Sequence, residues 1–404
     1  MAVIKPFRAW RPAAGQEQKI ASVPYDVIST QEAKELARTG GQQFLHVIRP
    51  EIDLSGDISV YDPKVYAKGK ENLDALLNSD DYMQEEDDSL YLYRLIMDGR
   101  AQAGIFGCVS VADYDNEVIL KHEKTRPDKE DDRTKHILTQ EAHAEPVMFT
   151  FKDPGQKVYE EMKLTMVRDE PLYDFKAEDG VQHTIWKFSD PSKLITLFKD
   201  TSYLYVADGH HRCASASRAA KEMASHNPQH TGDEEYNFFP AVIFPMKQME
   251  ILAYNRIIYN LPEGFMEELK EQLQVAVTND PVPNKKGQIC IYDGEKWYNV
   301  NLPETTEDDA SSALDVSRLQ EYILEPLLGI SDQRTDPNID FVGGIRGTDQ
   351  LEFFIDNGEA ALGISMYPTS IEELMDVSDA GLLMPPKSTW FEPKLRSGLL
   401  VHTF

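Results

Sequence analysis

The order of hydrophobic and polar residues predicts short strands with helices between them. Residues 90–96 and 103–111 are rich in β-branched and aromatic side chains, and Asp98-Gly99 between them is a strong hairpin signal. A second hairpin is predicted at Asp179-Gly180. Helices are predicted at residues 30–36, 64–78, 155–167, 211–226, 262–275 and 317–328. This mixture predicts an α+β fold with mixed, largely antiparallel sheets and interspersed helices.

Three further segments complete the predicted organisation. Residues 44–48 are apolar and short, which predicts a strand. Residues 121–136 are so dense in charge that we expect no core element there. The polar stretch at 227–235 predicts a linker. We therefore expect an N-terminal α+β core over residues 1–235 and a C-terminal α+β lobe over 236–404, packed closely on the core.

Composition and charge narrow the class of protein. The chain has 404 residues, of which 41% are hydrophobic and 27% charged, as expected for a soluble globular protein. No apolar run approaches the roughly 18 residues of a membrane span, and the first residues lack the apolar centre of a secretory signal. The three cysteines have no C-x-x-C spacing, which fits a reducing cytoplasm. A net charge of −28 makes nucleic acid an unlikely partner and membranes are not expected.

The segment at residues 203–218 carries the clearest chemistry. A strand-like run ends at Asp208-Gly209, and an Ala/Ser-rich helical run follows at once. The free backbone N–H groups at a helix start favour anions, glycine permits close approach of a ligand, and the His210, His211 and Arg212 side chains add donors that suit a phosphate. The alternative is a structural Asp-Gly turn.

The charged residues 122–126, His-Glu-Lys-Thr-Arg, follow another predicted strand, where chemistry is often found. The alternative is a solvated surface loop. His122 and Glu123 are adjacent, so on an extended backbone they point to opposite sides and cannot both ligate one metal without a bend. We expect this segment and residues 210–212 to line one cleft.

Other segments give weaker signals. Residues 343–347, Gly-Gly-Ile-Arg-Gly, lack the pattern of a nucleotide loop, so a tight turn is favoured. Residues 384–391 offer a lysine, two hydroxyls and two aromatics, which could close over a ligand or pack as a surface tail. His46, His143 and His183 lie in apolar runs and are expected to be hydrogen-bonded core histidines.

Several of these segments together resemble a known family. The ordered motifs are residues 23–28, 44–51, 122–125, 207–212, 255–256 and 384–389. In this order they resemble the bacterial family called domain of unknown function 1015, nearly end to end. Many members of that family have a histidine where this chain has Asn255.

A more distant resemblance implies a function. Residues 208–212 followed by an Ala-rich helix look like the phosphate-binding box of the ParB/sulfiredoxin superfamily, which includes free-serine kinases. The resemblance implies a ParB/sulfiredoxin-like nucleotide-binding core with ATP or ADP and Mg²⁺ as cofactors. Sulfiredoxin chemistry needs a cysteine where this chain has His210, so a redox role is not expected.

The sequence hypothesis is therefore a nucleotide-dependent phosphotransferase that acts on a small hydroxyl compound, with free L-serine as the first candidate. Phosphoryl transfer is mainly positioning and charge neutralisation. The candidate catalytic residues are Glu123, Asp208 and His122, and the candidate phosphate-binding and charge-screening residues are Gly209, His210, His211, Arg212, Lys124 and Arg126. Two alternatives remain: a non-enzymatic ParB-like nucleotide switch, and a metal-dependent hydrolase built from His122, Glu123, His210 and His211.

Overall fold

The computed structural model describes residues 1–56 and 58–404, and it shows a mixed α+β protein. The strands are β1 (Ile4–Lys5), β2 (Trp10–Pro12), β3 (Tyr82–Gln84), β4 (Tyr91–Met97), β5 (Arg100–Ser110), β6 (Ile119–Leu120), β7 (Ala142–His143), β8 (Val147–Phe151), β9 (Tyr173–Lys176), β10 (Gln182–Lys187), β11 (Leu204–Asp208), β12 (Phe238–Pro245), β13 (Ile251–Leu252), β14 (Tyr254–Ile258), β15 (Gln274–Thr278), β16 (Gln288–Tyr292), β17 (Trp297–Asn301), β18 (Ile339–Gly343), β19 (Leu362–Met366), β20 (Trp390–Phe391) and β21 (His402–Thr403).

The α-helices lie between these strands and on their faces. They are α1 (Glu17–Ile20), α2 (Thr30–Arg38), α3 (Leu45–Ile48), α4 (Pro63–Leu77), α5 (Val111–Asp115), α6 (Pro127–Gln140), α7 (Lys157–Arg168), α8 (Ser192–Phe198), α9 (His210–His226), α10 (Phe265–Gln272), α11 (Asp315–Leu319), α12 (Glu325–Leu328), α13 (Asp349–Asp356) and α14 (Ile371–Asp379). A π-helical turn, Gln320–Leu324, joins α11 to α12. No helix in the described ranges is long and apolar enough to span a bilayer.

The chain divides into two compact units whose bounds differ from the expected division at residue 235. The first unit comprises Met1–Leu120, Thr125–Met249 and Pro393–Phe404. The second comprises Lys121–Lys124 and Glu250–Glu392. Strand β12 follows the polar linker and still pairs with β5 and β8 of the first unit, so the chain leaves that unit only after this strand.

The first unit is built on one sheet with the strand order β6-β11-β8-β12-β5-β4-β10-β9, and β1 pairs with β5. The β11–β6 and β12–β8 pairs are parallel, and the other pairs are antiparallel. Buried apolar side chains of β5, β8, β11 and β12 form a core with the small residues Cys213, Ala216 and Ala220 of α9. The sheet thus holds the C-terminal end of β11 and the start of α9 in a fixed place.

Both predicted hairpins are confirmed. Strands β4 and β5 pair antiparallel through Asp98 and Gly99, which have φ angles of 51° and 80°. Positive φ at both positions is the geometry of the type I′ turn, which Asp-Gly adopts readily. Strands β9 and β10 pair antiparallel at the second site, where Gly180 has a φ angle of 85°.

Two predictions of local structure were wrong. Residues 44–48 were predicted as a strand, but Leu45–Ile48 is a helical turn, with Leu45, Val47 and Ile48 buried in a satellite core. A short run that is buried on several sides gives no periodicity to distinguish helix from strand.

Residues 121–136 were expected to contribute nothing to the core, yet α6 begins at Pro127 and buries one face. Asp132 and Arg133 are both buried on that face, 2.7 Å apart at Oδ2 and Nη2. Because the charges are paired, burial does not leave either of them uncompensated.

The second unit has its own sheet, with the strand order β15-β17-β16-β19-β14-β18. Every pair in it is antiparallel. Helix α13 packs on this sheet, and Leu351 and Ile355 join a core with Ile257, Cys290 and Val342. The Gly-Gly pair at residues 343–344 forms the predicted tight turn. A β-carbon at Gly343 would lie 2.8 Å from the Trp390 ring, so close packing requires glycine there.

Candidate functional site

The predicted junction between strand and helix is present in the first unit. Strand β11 ends at Asp208 and helix α9 begins at His210, with Gly209 between them. Gly209 has a φ angle of 107°, a conformation that side chains rarely adopt, and it lets the chain turn directly from strand to helix. The first turn of α9 therefore presents its backbone N–H groups without a side-chain cap.

Arg212 holds this junction together from its buried side. Its guanidinium donates a hydrogen bond to the Pro146 carbonyl and another to Asp208 Oδ2 at 3.2 Å. A β-carbon at Gly209 would lie 3.0 Å from Arg212 Nε, so the guanidinium lies directly against the glycine. Glycine at position 209 thus permits both the turn and the packing of Arg212.

The charges around Arg212 stabilise its ionised form. Burial alone lowers the pKa of the Arg212 guanidinium, but the carboxylates of Asp208, Asp26 and Glu145 outweigh burial and the pKa is raised. The cavity that Arg212 helps to line measures about 40 Å³, which is far too small for a nucleotide. On its buried side, Arg212 therefore belongs to a structural network of paired charges.

Asp208 has a second cationic partner that the sequence analysis missed. Lys394 Nζ lies 3.6 Å from Asp208 Oδ2, and both side chains are largely buried. Lys394 belongs to the C-terminal segment Pro393–Phe404 of the first unit. No local signal marks this lysine, because its partner is far away in the sequence.

The two histidines of the motif have different environments. His210 is buried, whereas His211 is partly exposed. His211 Nε2 accepts a hydrogen bond of 3.1 Å from the backbone N–H of Arg126. The contacting Nε2 is therefore unprotonated, and the neutral ring carries its proton on Nδ1.

This contact brings two predicted motif segments together within the first unit. Arg126 is the residue that precedes α6, and α6 packs along α9 through the hydrogen bond from Ser215 Oγ to the Glu130 carbonyl at 3.2 Å. The Arg126 guanidinium is exposed and pairs with Asp128 at 3.0 Å. The starts of α6 and α9 thus lie side by side.

His122, Glu123 and Lys124 are grouped with the second unit. His122 is buried, Glu123 is partly buried and Lys124 is exposed. The His122 carbonyl accepts a hydrogen bond of 2.7 Å from the N–H of Met384, at the start of the predicted 384–391 motif. The expectation that these residues and residues 210–212 line one cleft stays a prediction.

Asn255 and Arg256 also join the 384–391 motif within the second unit. Arg256 is fully buried and donates to the Lys387 carbonyl at 3.1 Å and to the Tyr254 carbonyl. Burial lowers the pKa of Arg256 to about 10, and the interaction with Tyr254 offsets only part of this desolvation. Asn255 Oδ1 accepts a hydrogen bond of 3.0 Å from the Met366 N–H, so both side chains brace the backbone of this unit.

A charge network beside the motif was also missed. Arg133 lies 3.8 Å from Glu145 and stacks over the Tyr25 ring, with 4.1 Å between the guanidinium carbon and the ring centroid. The Tyr25 N–H donates to Glu145 Oε1 at 3.1 Å. Burial raises the pKa of Glu145, although Arg212 and Arg133 oppose the shift. The one available signal was a glutamate placed immediately before a strongly apolar strand.

The histidine predictions have mixed outcomes. His183 is fully buried and contacts Tyr93 Oη at 2.8 Å, as expected. His143 is buried in β7. His46 lies instead on α3 and bonds to Asp53 at 2.7 Å near the surface. Across residues 1–56 and 58–404, no three His, Cys, Asp or Glu side chains are arranged to hold a metal ion.

Comparisons with solved structures show weak similarity. A free serine kinase in complex with AMP is 14% identical, with a TM-score of 0.39 over 73% of this chain and 91% of that one. A conserved hypothetical protein from Pyrococcus furiosus is 14% identical, with a TM-score of 0.36 over 73% and 95%. SbnI from Staphylococcus aureus is 13% identical, with a TM-score of 0.38 over 74% and 87%.

A protein-family model matches the chain over most of its length. No curated protein matches the chain. The model of the family described as protein of unknown function (DUF1015) matches residues 4–317, which is most of the sequence. The chain therefore belongs to the DUF1015 family.

Proposed function

We propose that this protein is a nucleotide-dependent phosphotransferase that acts on a small hydroxyl compound, with free L-serine as the first candidate acceptor. The observation that carries the proposal is the junction of β11 and α9. A glycine with positive φ stands before a helix of 17 residues whose first turn contains His210 and His211. The choice of acceptor rests on the resemblance of residues 208–212 to the phosphate-binding box of free-serine kinases.

The junction fits a nucleotide phosphate on chemical grounds. The N–H groups of the first turn and the positive end of the helix dipole attract an anion. His211 is partly exposed, and an imidazole N–H can donate to a phosphate oxygen. Gly209 has no side chain to obstruct a phosphate oxygen. These residues can hold a phosphate without contributions from the buried Arg212 guanidinium.

In this proposal Arg212 acts mainly as a positioning residue. Its two acceptors, Asp208 and the Pro146 carbonyl, belong to the end of β11 and the start of β8. The guanidinium therefore fixes the strand end against the helix start, so the N–H groups keep one direction. Positioning of this kind is what phosphoryl transfer chiefly requires.

The catalytic carboxylate has two candidates. Asp208 Oδ2 is paired with both Arg212 and Lys394, so this oxygen is committed to cations. Glu123 is partly buried, and in the proposal it accepts the proton of the acceptor hydroxyl, with His122 beside it. Lys124 and Arg126 are exposed cations that would screen charge.

The proposed carboxylates can supply some of the oxygen ligands of a nucleotide-bound Mg²⁺. Mg²⁺ is usually held by one or two carboxylates together with substrate phosphates and water, so a cluster of three protein ligands is not required. Asp208 and Glu123 are the carboxylates proposed for this purpose. The phosphates would supply the remaining oxygens.

Nucleotide turnover with and without L-serine tests the proposal. ATP and ADP are each supplied with Mg²⁺, and phosphoserine is quantified by mass spectrometry. Turnover that requires serine supports the kinase. Tight nucleotide binding without turnover for any hydroxyl acceptor favours the switch, and acceptor-independent hydrolysis that a zinc chelator abolishes favours the hydrolase. Gly209→Ala is the control that we expect to be inactive, because it disturbs the junction of β11 and α9 without removing any candidate side chain.

A further inference from the structure

A pocket of about 640 Å³ opens in the first unit, and Arg396 forms part of its wall. The pocket runs past α1, the end of α2 and the β9–β10 hairpin. Apolar side chains such as Phe175 line one part of it, and backbone of Gly41 and Gln42 lines another. None of the candidate phosphate-binding residues contributes to it.

Arg396 is held rigidly by a buried network. Its side chain is 6% exposed, and its guanidinium pairs with Asp179 and donates from Nε to His183 Nε2 at 3.3 Å. Because a guanidinium only donates, His183 Nε2 must accept, so the ring proton lies on Nδ1 and faces Tyr93 Oη at 2.8 Å. Burial lowers the pKa of His183, which keeps the ring neutral.

The hydrogen bonds from Arg396 to His183 and Asp179 do not use all of its donors. The Nε and Nη2 contacts use part of the fork of five donors, and the Nη1 group has further donors. A guanidinium fixed in this way is suited to a carboxylate.

Acidic groups lie on the rim of the same pocket. Asp179 and Glu178 are exposed at the hairpin, and Glu178 faces Gly41, where a β-carbon would lie 3.9 Å from Glu178 Oε1. Gln42 has a φ angle of 51°, and its Oε1 accepts from the Val23 N–H at 3.1 Å. A non-glycine residue in this conformation is strained, and such strain is concentrated at ligand-binding positions.

We propose that this pocket binds a small zwitterion of the α-amino acid class, with its carboxylate on Arg396 and its ammonium group on Glu178 and Asp179. The carboxylate of such a molecule is complementary to the guanidinium of Arg396, and its ammonium group is complementary to the carboxylates of Glu178 and Asp179. The inference does not rest on the phosphotransferase proposal, because it uses a different set of residues.

Isothermal titration calorimetry with the full-length protein tests the proposal. The standard amino acids are titrated individually, with propionate and ethylamine as probes that carry only one of the two charges. We expect one or a few amino acids to bind and both single-charge probes to bind at least about tenfold more weakly. Arg396→Gln should weaken amino acid binding roughly 10- to 100-fold.

Gly41→Phe keeps the test decisive if Arg396→Gln fails to fold. Gly41 lines the pocket and has room for a β-carbon, since the nearest neighbours of that atom lie at 3.9 and 4.0 Å, so Gly41→Phe is designed to occupy pocket space while Arg396 and its partners remain in the sequence. Lys34→Phe, at an exposed position of α2, is the matched control.

Binding that is lost in Gly41→Phe and kept in Lys34→Phe and Gly209→Ala supports this pocket. Three results would overturn the assignment: no amino acid binds, propionate binds as tightly as the amino acids, or Gly41→Phe binds like the unmodified chain. A serine signal that survives in Gly41→Phe but disappears in Gly209→Ala belongs to the proposed phosphotransferase site. The two proposals can therefore fail separately.

Discussion

Asp208, at the end of β11, forms an ion pair with Lys394 of the C-terminal segment, with 3.6 Å between Oδ2 and Nζ. The same Asp208 oxygen accepts a hydrogen bond from Arg212 at 3.2 Å. The Asp208 carboxylate thus links the start of α9 to the C-terminal segment of the chain. The candidate phosphate site depends on residues that no local motif contains.

The first prediction concerns this ion pair. Lys394→Met should destabilise the first unit by about 1 kcal/mol, because the pair is largely shielded from water but Arg212 still satisfies Asp208. A double-mutant cycle with Asp208→Asn, followed by urea denaturation, measures the coupling. We expect roughly 0.5–2 kcal/mol. Strict additivity of the two changes would show that the contact does not stabilise the protein.

The second prediction distinguishes two costs of a side chain at position 209: the backbone strain of a positive φ, and the close contact of a β-carbon with Arg212. Gly209→Ala should destabilise the protein more than Gly155→Ala, although both glycines have positive φ, at 107° and 79°. A β-carbon at Gly155 meets nothing within 4 Å, whereas one at Gly209 lies 3.0 Å from Arg212 Nε. Thermal unfolding of the two variants measures the difference. Equal losses would mean that Arg212 moves aside without cost.

The third prediction tests the two roles of Arg212. Arg212→Lys keeps the charge but cannot reach both Asp208 and the Pro146 carbonyl, so it should lower stability by roughly 2 kcal/mol. Nucleotide affinity, measured by calorimetry on folded protein, should also fall because the helix start loses its brace. Arg218→Lys, on an exposed face of α9, is the control and should change stability by less than about 0.5 kcal/mol. Unchanged affinity in Arg212→Lys would limit this arginine to a structural role.

The fourth prediction assigns the catalytic carboxylate. Glu123→Gln should preserve nucleotide binding and lower serine-dependent turnover by roughly 10²–10⁴-fold, the range for loss of an acid–base group. Asp208→Asn should instead weaken the β11–α9 junction, because it removes the charge that Arg212 and Lys394 share. Affinity and product formation are measured for both variants. Full activity in Glu123→Gln contradicts the assignment, and an inactive Asp208→Asn with intact binding transfers the role to Asp208.

The fifth prediction concerns acid stability. Burial lowers the pKa of His183 well below its usual value of 6.5, so below pH 6.5 the unfolded chain binds a proton that the folded chain does not. The folded state therefore loses stability as the pH falls from about 6.5, with a slope of about 1.4 kcal/mol per pH unit for this one group.

Urea denaturation between pH 7 and pH 5 measures this slope. His183→Gln should reduce it, since glutamine has no proton to bind. His226→Gln changes an exposed histidine of α9 and serves as the control. An identical slope in His183→Gln and the unmodified chain would show that His183 becomes protonated in the folded state without cost.

Local sequence patterns determined the elements that depend on neighbouring residues. Asp98-Gly99 favours positive φ whatever lies elsewhere in the chain, and the hairpin formed as predicted. The Ala/Ser run after Gly209 is likewise helical, and Ser29 forms the cap of α2 through a reciprocal hydrogen-bond pair with Glu32. Family membership also followed from the order of motifs along the sequence.

Only the tertiary structure decided which charges are buried and with which partners. The run at residues 44–48 became helical through burial on several sides. Helix α6 buries Asp132 and Arg133 because they pair with each other and because Glu145 and Tyr25 lie against Arg133. Lys394 reaches Asp208, and Arg396 reaches His183, only because the last residues return to the first unit. Propensity and turn chemistry act over a few residues, whereas burial and ion pairing depend on residues far apart in the sequence. For that reason the strand, the turn and the helix of the motif could be read from the sequence, but the partners of its charged side chains could not.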